Sequence, residues 1–150
     1  MRLLVILAAA LLTACAPAPK PSEPPRTDPT AESWYGQTVE QLAALNRQAE
    51  SLLRQGPSDQ AGAILTEGQP LMNRLLAVPR PTLAAMEAAS DLDDLYGRML
   101  LANRQYGWAR IQFQKNVARW RSWKPETPET TRRRKVAESG IGECDRHLDE

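Results

Sequence analysis

The chain is short of the residues that most often carry catalysis and metal binding. It has one His and two Cys in 150 residues, too few soft ligands for a zinc finger or zinc ribbon. Only 5% of its residues are aromatic while 12 are Pro, a mix unlike an ordinary enzyme core. Charge of either sign is not in excess: 19 Lys plus Arg against 18 Asp plus Glu leave +1, so no overall field points to a nucleic-acid partner. The longest apolar run, Leu3 to Leu12, falls well short of the roughly 20 residues that a membrane-spanning helix needs. No Gly-rich phosphate loop, HExxH or GxSxG occurs, which removes the common local signatures of nucleotide, metalloprotease and hydrolase chemistry. No window alternates β-branched and polar residues as a half-buried strand does. The length suits one domain.

What is present begins at the N-terminus. Arg2, the apolar run and the small residues up to Cys15 (MRLLVILAAALLTAC) have the layout of a signal peptide. Leu12-Thr13-Ala14-Cys15 resembles the lipobox of bacterial lipoproteins: an aliphatic residue, two small residues, then Cys. The resemblance implies cleavage before Cys15, so that residues 1–14 are the signal peptide. It also implies lipidation of Cys15 with diacylglycerol and an acyl chain, which together anchor a protein stably where one chain is marginal. Ala16, not Asp, follows Cys15; by the same resemblance this favours the outer membrane of a bacterial cell envelope, facing the periplasm. The alternative is an ordinary secretory signal that contains a Cys.

Residues 15–32 then read as a lipidated Cys and a Pro-rich tether. Pro17, Pro19, Pro21, Pro24, Pro25 and Pro29 are half of all the prolines. Each removes a backbone donor and fixes φ, so the stretch is expected to be an extended spacer at about 3.1 Å per residue. A Pro-rich ligand for a partner groove is the other reading.

Residues 33–124 carry helical periodicity. Thr38 and Gln41 stand in capping-box register, and Val39, Leu42, Leu45, Ala49, Leu52 and Leu53 predict a first helix of about 17 residues. Gln55-Gly56-Pro57-Ser58 ends it. A second helix from about Ser58 carries Ala61, Ile64, Leu65, Leu71, Met72 and Leu75, with a kink or short break expected at Gly68 and Pro70. Val78-Pro79-Arg80-Pro81 separates it from a third, from about Thr82 to Ala102. Tyr106, Ala109, Phe113, Val117 and Trp120 mark a fourth, with the most regular stripe in the chain, closed by Lys124-Pro125. Residues 125–150 are expected to be a basic, partly disordered tail. Thr127-Pro128-Glu129 opens a short helix through Ala137, and Gly140 and Gly142 break it.

The two hairpins echo each other at an offset of 48 residues: Ala49, Leu52, Gly56, Ala61 and Leu65 against Gly97, Leu100, Arg104, Ala109 and Phe113. This pattern resembles the tetratricopeptide repeat, best over Arg104 to Lys115. It departs from that family at the turn, where Arg104 stands for Gly, and in a spacing longer than the family's 34. The expected fold is all-α: antiparallel helical hairpins, either repeat-like or a four-helix bundle.

Chemistry is sparse. Cys144 and His147 are three apart with Glu143 and Asp149 close by; a metal clip is conceivable, but a polar tail with an exposed thiol is the plainer reading, because ordering a tail is costly. Glu87, Asp91 and Asp94 share a helical face and read as solvated acids. No catalytic residue, metal site or cofactor is expected, and the protein is not expected to be an enzyme. The strongest signal is charge asymmetry. From Arg98 to Lys135 eleven basic residues face only Glu126 and Glu129, a net +9 over 38 residues, interleaved with Tyr and Trp. In a cytosolic protein this would suggest nucleic acid; behind a signal peptide it suggests envelope polyanions or an acidic protein. Candidate docking residues are Arg110, Arg119, Arg121 and Trp123, with Arg132, Arg133, Arg134 and Lys135. The plain alternative is a solvated face paired with the acids of the third helix. The expected role is a lipid-anchored interaction or scaffold module for another envelope protein. The second reading is direct binding of anionic lipid or peptidoglycan.

Overall fold

A computed structural model describes residues 27–56 and 58–149. The signal peptide, Cys15 and residues 15–26 of the tether lie outside the described residues. Among the described residues there are five α-helices, a single turn of 3-10 helix at Pro29–Ala31 and no strand. The helices are α1 (Ser33–Leu53), α2 (Asp59–Leu76), α3 (Leu83–Ala102), α4 (Tyr106–Ser122) and α5 (Pro128–Leu148).

Local signals set most boundaries. Ser58 caps α2 by accepting from Ala61 N–H at 3.3 Å, and Thr82 caps α3 by accepting from Ala85 N–H at 3.3 Å, each satisfying a donor that the first turn leaves open. The first helix starts earlier than the sequence predicts. Thr38 is not its cap but a buried residue inside it, whose hydroxyl donates to Trp34 O at 2.7 Å. The extra turn is held by tertiary contact: Tyr35 is 2% exposed and its hydroxyl accepts from Thr82 N–H at 2.9 Å. The second helix runs unbroken through Gly68 and Pro70, so the short break allowed by the sequence does not form. Gly68 is buried there, and its missing side chain lets two leucines close in: a Cβ would lie 2.8 Å from Leu92 Cδ1 and 3.2 Å from Leu42 Cδ1.

The largest correction concerns residues 125–150. They are not a partly disordered tail with a helix ending at Ala137; α5 is 21 residues long and passes through both glycines. Thr127 and Thr130 form a reciprocal capping box at its start. Thr130, Ala137 and Cys144 are buried, and the half-buried Gly140 and Ile141 stand between them. That is a stripe at helical spacing, made of residues too small to read as a hydrophobic face.

The packing order separates the two expected architectures. Helix α1 packs on α2 and α3, α2 on α3, α3 on α4, and α4 on α5, with a lighter α3–α5 contact. Among the described residues, neither α4 nor α5 touches α1 or α2. A closed four-helix bundle brings its first and last helices together; this chain is instead an open stack of hairpins. One apolar cluster joins α1, α2 and α3 around Leu42, Leu65, Leu75 and Leu92, all 0% exposed. A second joins α3, α4 and α5 around Leu100, Ala109, Phe113 and Cys144.

The offset of 48 is visible in this packing. Ala61 and Ala109 are both 0% exposed, and Ala49 and Gly97 are both buried. The turn positions also match, since Gly56 has φ 128° and Arg104 φ 58°. Arg104 closes α3 with Gln105 N–H on Leu100 O at 2.8 Å and its own N–H on Leu101 O at 3.0 Å, the double bond of a helix end that normally takes Gly.

Candidate functional site

The basic stretch that dominates the sequence is folded against acids from elsewhere. Helix α4 has no Asp or Glu of its own, so its cations find partners on α3 and α5. Arg110 Nε lies 2.6 Å from Asp145, and Arg121 lies 3.4 Å from Glu138. On α5, Arg132 bonds Glu129 at 2.7 Å, while Arg134 lies 3.2 Å from Glu126 and 3.9 Å from Glu138. Arg133 is the most connected: 2.5 Å from Asp91, 2.8 Å from Glu129 and 4.0 Å from Glu87, with its guanidinium 5.8 Å above the Trp120 ring. The Arg132 hydrogen bond, with the charges of Arg132 and Arg133, holds the Glu129 carboxyl down to about 2. Trp123 is half-buried where α4 ends, and Lys135 is exposed without an ion pair among the described residues.

One predicted docking residue is placed where it cannot dock. The Arg119 side chain is 9% exposed and bonds Asp93, 1% exposed, at 2.7 Å. It also donates to Asn116 Oδ1, whose Nδ2 donates to Ser90 O at 2.8 Å; Trp120 Nε1 donates to Ser90 Oγ at 2.9 Å. This is a polar seam between α3 and α4, not a surface. Burial pushes the Asp93 carboxyl above its ordinary range, against the pull of Arg119, and its Oδ1 has no hydrogen-bond partner. Nothing in the sequence marked Asp93 apart from its three acidic neighbours; only its position on the α4 side of α3 does.

Two of the acids on the solvated face of α3, Asp91 and Asp94, border open cavities. A cavity of about 240 Å³ lies between α1 and α3, bordered by Asn46, Arg47, Glu50, Asp91, Asp94 and Arg98. A smaller one of about 80 Å³ between α3 and α5 shares Asp91 and Asp94 and adds Arg132 and Arg133. Arg98 bridges Asp94 at 2.9 Å and Glu50 at 3.9 Å, and burial raises the Asp94 carboxyl despite that partner. Asn46 is 5% exposed; its Nδ2 donates to Ala88 O at 2.8 Å, tying α1 to α3 at the groove floor. The sequence reading missed Asn46 and Arg47, whose polar character is ordinary on a helix and becomes informative only beside α3.

The exposed thiol expected at Cys144 is also corrected. Cys144 is fully buried against α4 and burial pushes its thiol pKa up, which makes it an inert core residue rather than a nucleophile or an exposed thiol. His147 stacks on Tyr106 with ring centroids 4.4 Å apart and lies 3.4 Å from Glu143. Among the described residues no group of three His, Cys, Asp or Glu is arranged to hold a metal ion.

No protein-family model, curated protein or solved structure matches this chain. Its functional reading therefore rests on its own residues. Among the described residues, no helix is long and apolar enough to cross a membrane.

Proposed function

We propose that the protein is a lipid-anchored envelope lipoprotein that acts as an interaction or scaffold module for another envelope protein. The observation that carries this is the pair of open cavities along α3, one against α1 and one against α5, which share Asp91 and Asp94. Consecutive helices that pack only on near neighbours present a continuous concave surface, the usual binding face of helical repeat stacks. The resemblance of Arg104 to Lys115 to the tetratricopeptide repeat supports the same reading, as does the matched positive φ of Gly56 and Arg104. Cys15 in its lipobox-like setting supports the anchor and the outer-membrane, periplasm-facing location. The groove's alternating acids and bases fit a partner segment of mixed charge.

Photo-crosslinkers placed at Arg47 and Arg98 in the groove, and at Thr66 and Asn73 on the exposed side of α2, test this in intact cells. Discrete adducts are expected from the groove positions alone. They are expected to weaken when Arg132 and Lys135 are reversed to Glu. Equal labelling from both faces overturns the docking reading. Mass spectrometry of the mature N-terminus tests the anchor separately: an unmodified Cys15, or cleavage elsewhere, refutes it.

A further inference from the structure

We propose that the solvent face of α4 is a lipid-contact surface that lies on an anionic bilayer, with Trp108 seated at the headgroup level. Trp108 is 65% exposed and Ile111 is 42% exposed, the two large apolar side chains on the outer side of α4. They stand three residues apart, and Lys115 and Ala118 continue the same face at spacings of four and three, so all four point outward together. Gly107, Ala118 and Ser122 are small and exposed around them, and Trp108 is the most exposed large apolar side chain of the helix.

Charge selects the surface this face fits. No acid occurs anywhere in α4. Its arginines are matched, Arg110 by Asp145, buried Arg119 by Asp93 and Arg121 by Glu138. Lys115 bonds only Gln112 Oε1, at 3.1 Å. Arg104 just before the helix and Lys124 just after it are exposed. None of these three has an ion pair among the described residues. Lys115 and Lys124 sit in the fields of Asp93 and Glu126, but neither is held in an ion pair, so with Arg104 they are the cations of this helix and its ends that face solvent beside Trp108 and Ile111. An indole ring beside unpaired Lys and Arg is the composition of an interfacial helix, and the attraction falls on anionic headgroups. The groove opens on the other side, where α4 contributes only the buried Asn116. A helix face whose own residues carry cations and no acid, with an exposed Trp, suits a soft planar polyanion better than a folded partner. The anchored reading above would supply the bilayer; the chemistry of the face does not depend on it.

The full chain, purified from the cells that express it, is mixed with phosphatidylcholine vesicles carrying brominated acyl chains, with and without one-quarter phosphatidylglycerol. Quenching of Trp fluorescence is expected on the anionic vesicles and much less on the neutral ones. In a Trp123→Phe background, which removes the half-buried Trp at the end of α4, Trp108→Phe is expected to abolish most of it, because Trp120 is buried and Trp34 is covered by Arg74 at 4.2 Å. Arg104→Gln and Lys115→Gln are each expected to weaken anionic-vesicle binding about fivefold. Far-UV circular dichroism checks that these exposed substitutions leave the helices intact. Absence of quenching, equal quenching on both vesicles, or quenching that survives Trp108→Phe overturns the proposal. So does a Trp108-dependent protein crosslink without lipid quenching, which would make the face a protein-docking site. Flotation that is lost in Cys15→Ser but kept in Trp108→Phe reports the anchor alone, so the two readings fail separately.

Discussion

Replacing Gly140 with Ala sets two known effects against each other, and the structure decides the sign. In an exposed helix interior Gly→Ala stabilises by about 1 kcal/mol. At Gly140, however, a Cβ would lie 2.8 Å from three atoms of the Phe113 ring. The ring cannot step aside, because on α3 a Cβ at Gly97 would also meet it at 2.8 Å: moving away from one helix drives it into the other. Forcing a methyl into such a site costs about 1–3 kcal/mol, so Gly140→Ala is expected to destabilise by about 1 kcal/mol net. Two residues on, Gly142 would meet nothing within 4 Å, and Gly142→Ala is expected to stabilise by nearly the full 1 kcal/mol. The two variants should thus differ by about 2 kcal/mol, or about 8 °C in Tm for a domain of this size, measured by thermal circular dichroism and urea titration. Adding Phe113→Leu to Gly140→Ala should cost at least about 1 kcal/mol less than the two single losses combined, because the clash is shared. If Gly140→Ala gains as much as Gly142→Ala, Phe113 is not clamped and the reading of α5 as a packed helix is refuted.

Four further outcomes follow from the same structure. Arg119→Met is expected to cost about 3–5 kcal/mol by stranding buried Asp93, while Asp93→Leu with Arg119→Met returns to within about 1 kcal/mol of the parent; a double-mutant cycle in urea checks this, and two mild single variants would sink it. Because the Asp93 carboxyl is already raised in the folded state, its contribution is present below its ordinary pKa near 3.8 and lost as pH rises, so the penalty of Arg119→Met should grow between pH 4 and pH 7. Glu129 behaves oppositely: with its folded value near 2, its contribution is present above its ordinary 4.5 and lost as pH falls toward 2, and its carboxyl resonance by NMR should titrate near 2. Cys144 is expected to resist thiol reagents in the native protein and react fully in denaturant. Arg104→Gly should stabilise by about 0.5–1 kcal/mol, since it relieves the left-handed φ of 58° at a helix end suited to Gly.

Much of the site lay beyond a linear reading for an identifiable reason. The run Arg98 to Lys135 looks like an uncompensated +9 because a sequence window sees only neighbours. Several of its counter-charges lie outside the window, some far along the chain: Asp93 is 26 residues from Arg119 and Asp91 is 42 from Arg133. Conversely Trp108 stands in the sequence as one interleaved aromatic among several, since nothing local distinguishes a Trp that faces solvent from one that ends a helix. Asp93 and Asp94 are adjacent and alike in sequence, yet one closes a seam with α4 and the other floors the groove with α1.

The sequence by itself determined the all-α class, the helix starts near Ser58 and Thr82, the two hairpins with their 48-residue echo and the buried stripe of α4. These rest on periodicity, capping and turn chemistry, which act over a few residues and are written along the chain. Only the tertiary structure decided that α5 runs through Gly140, that the hairpins stack openly, and which arginines remain available at the surface. A glycine that breaks a solitary helix becomes, against Phe113, the residue that lets two helices close on one ring. A cation's availability depends on which acid the fold carries to it, and both are properties of contact across space.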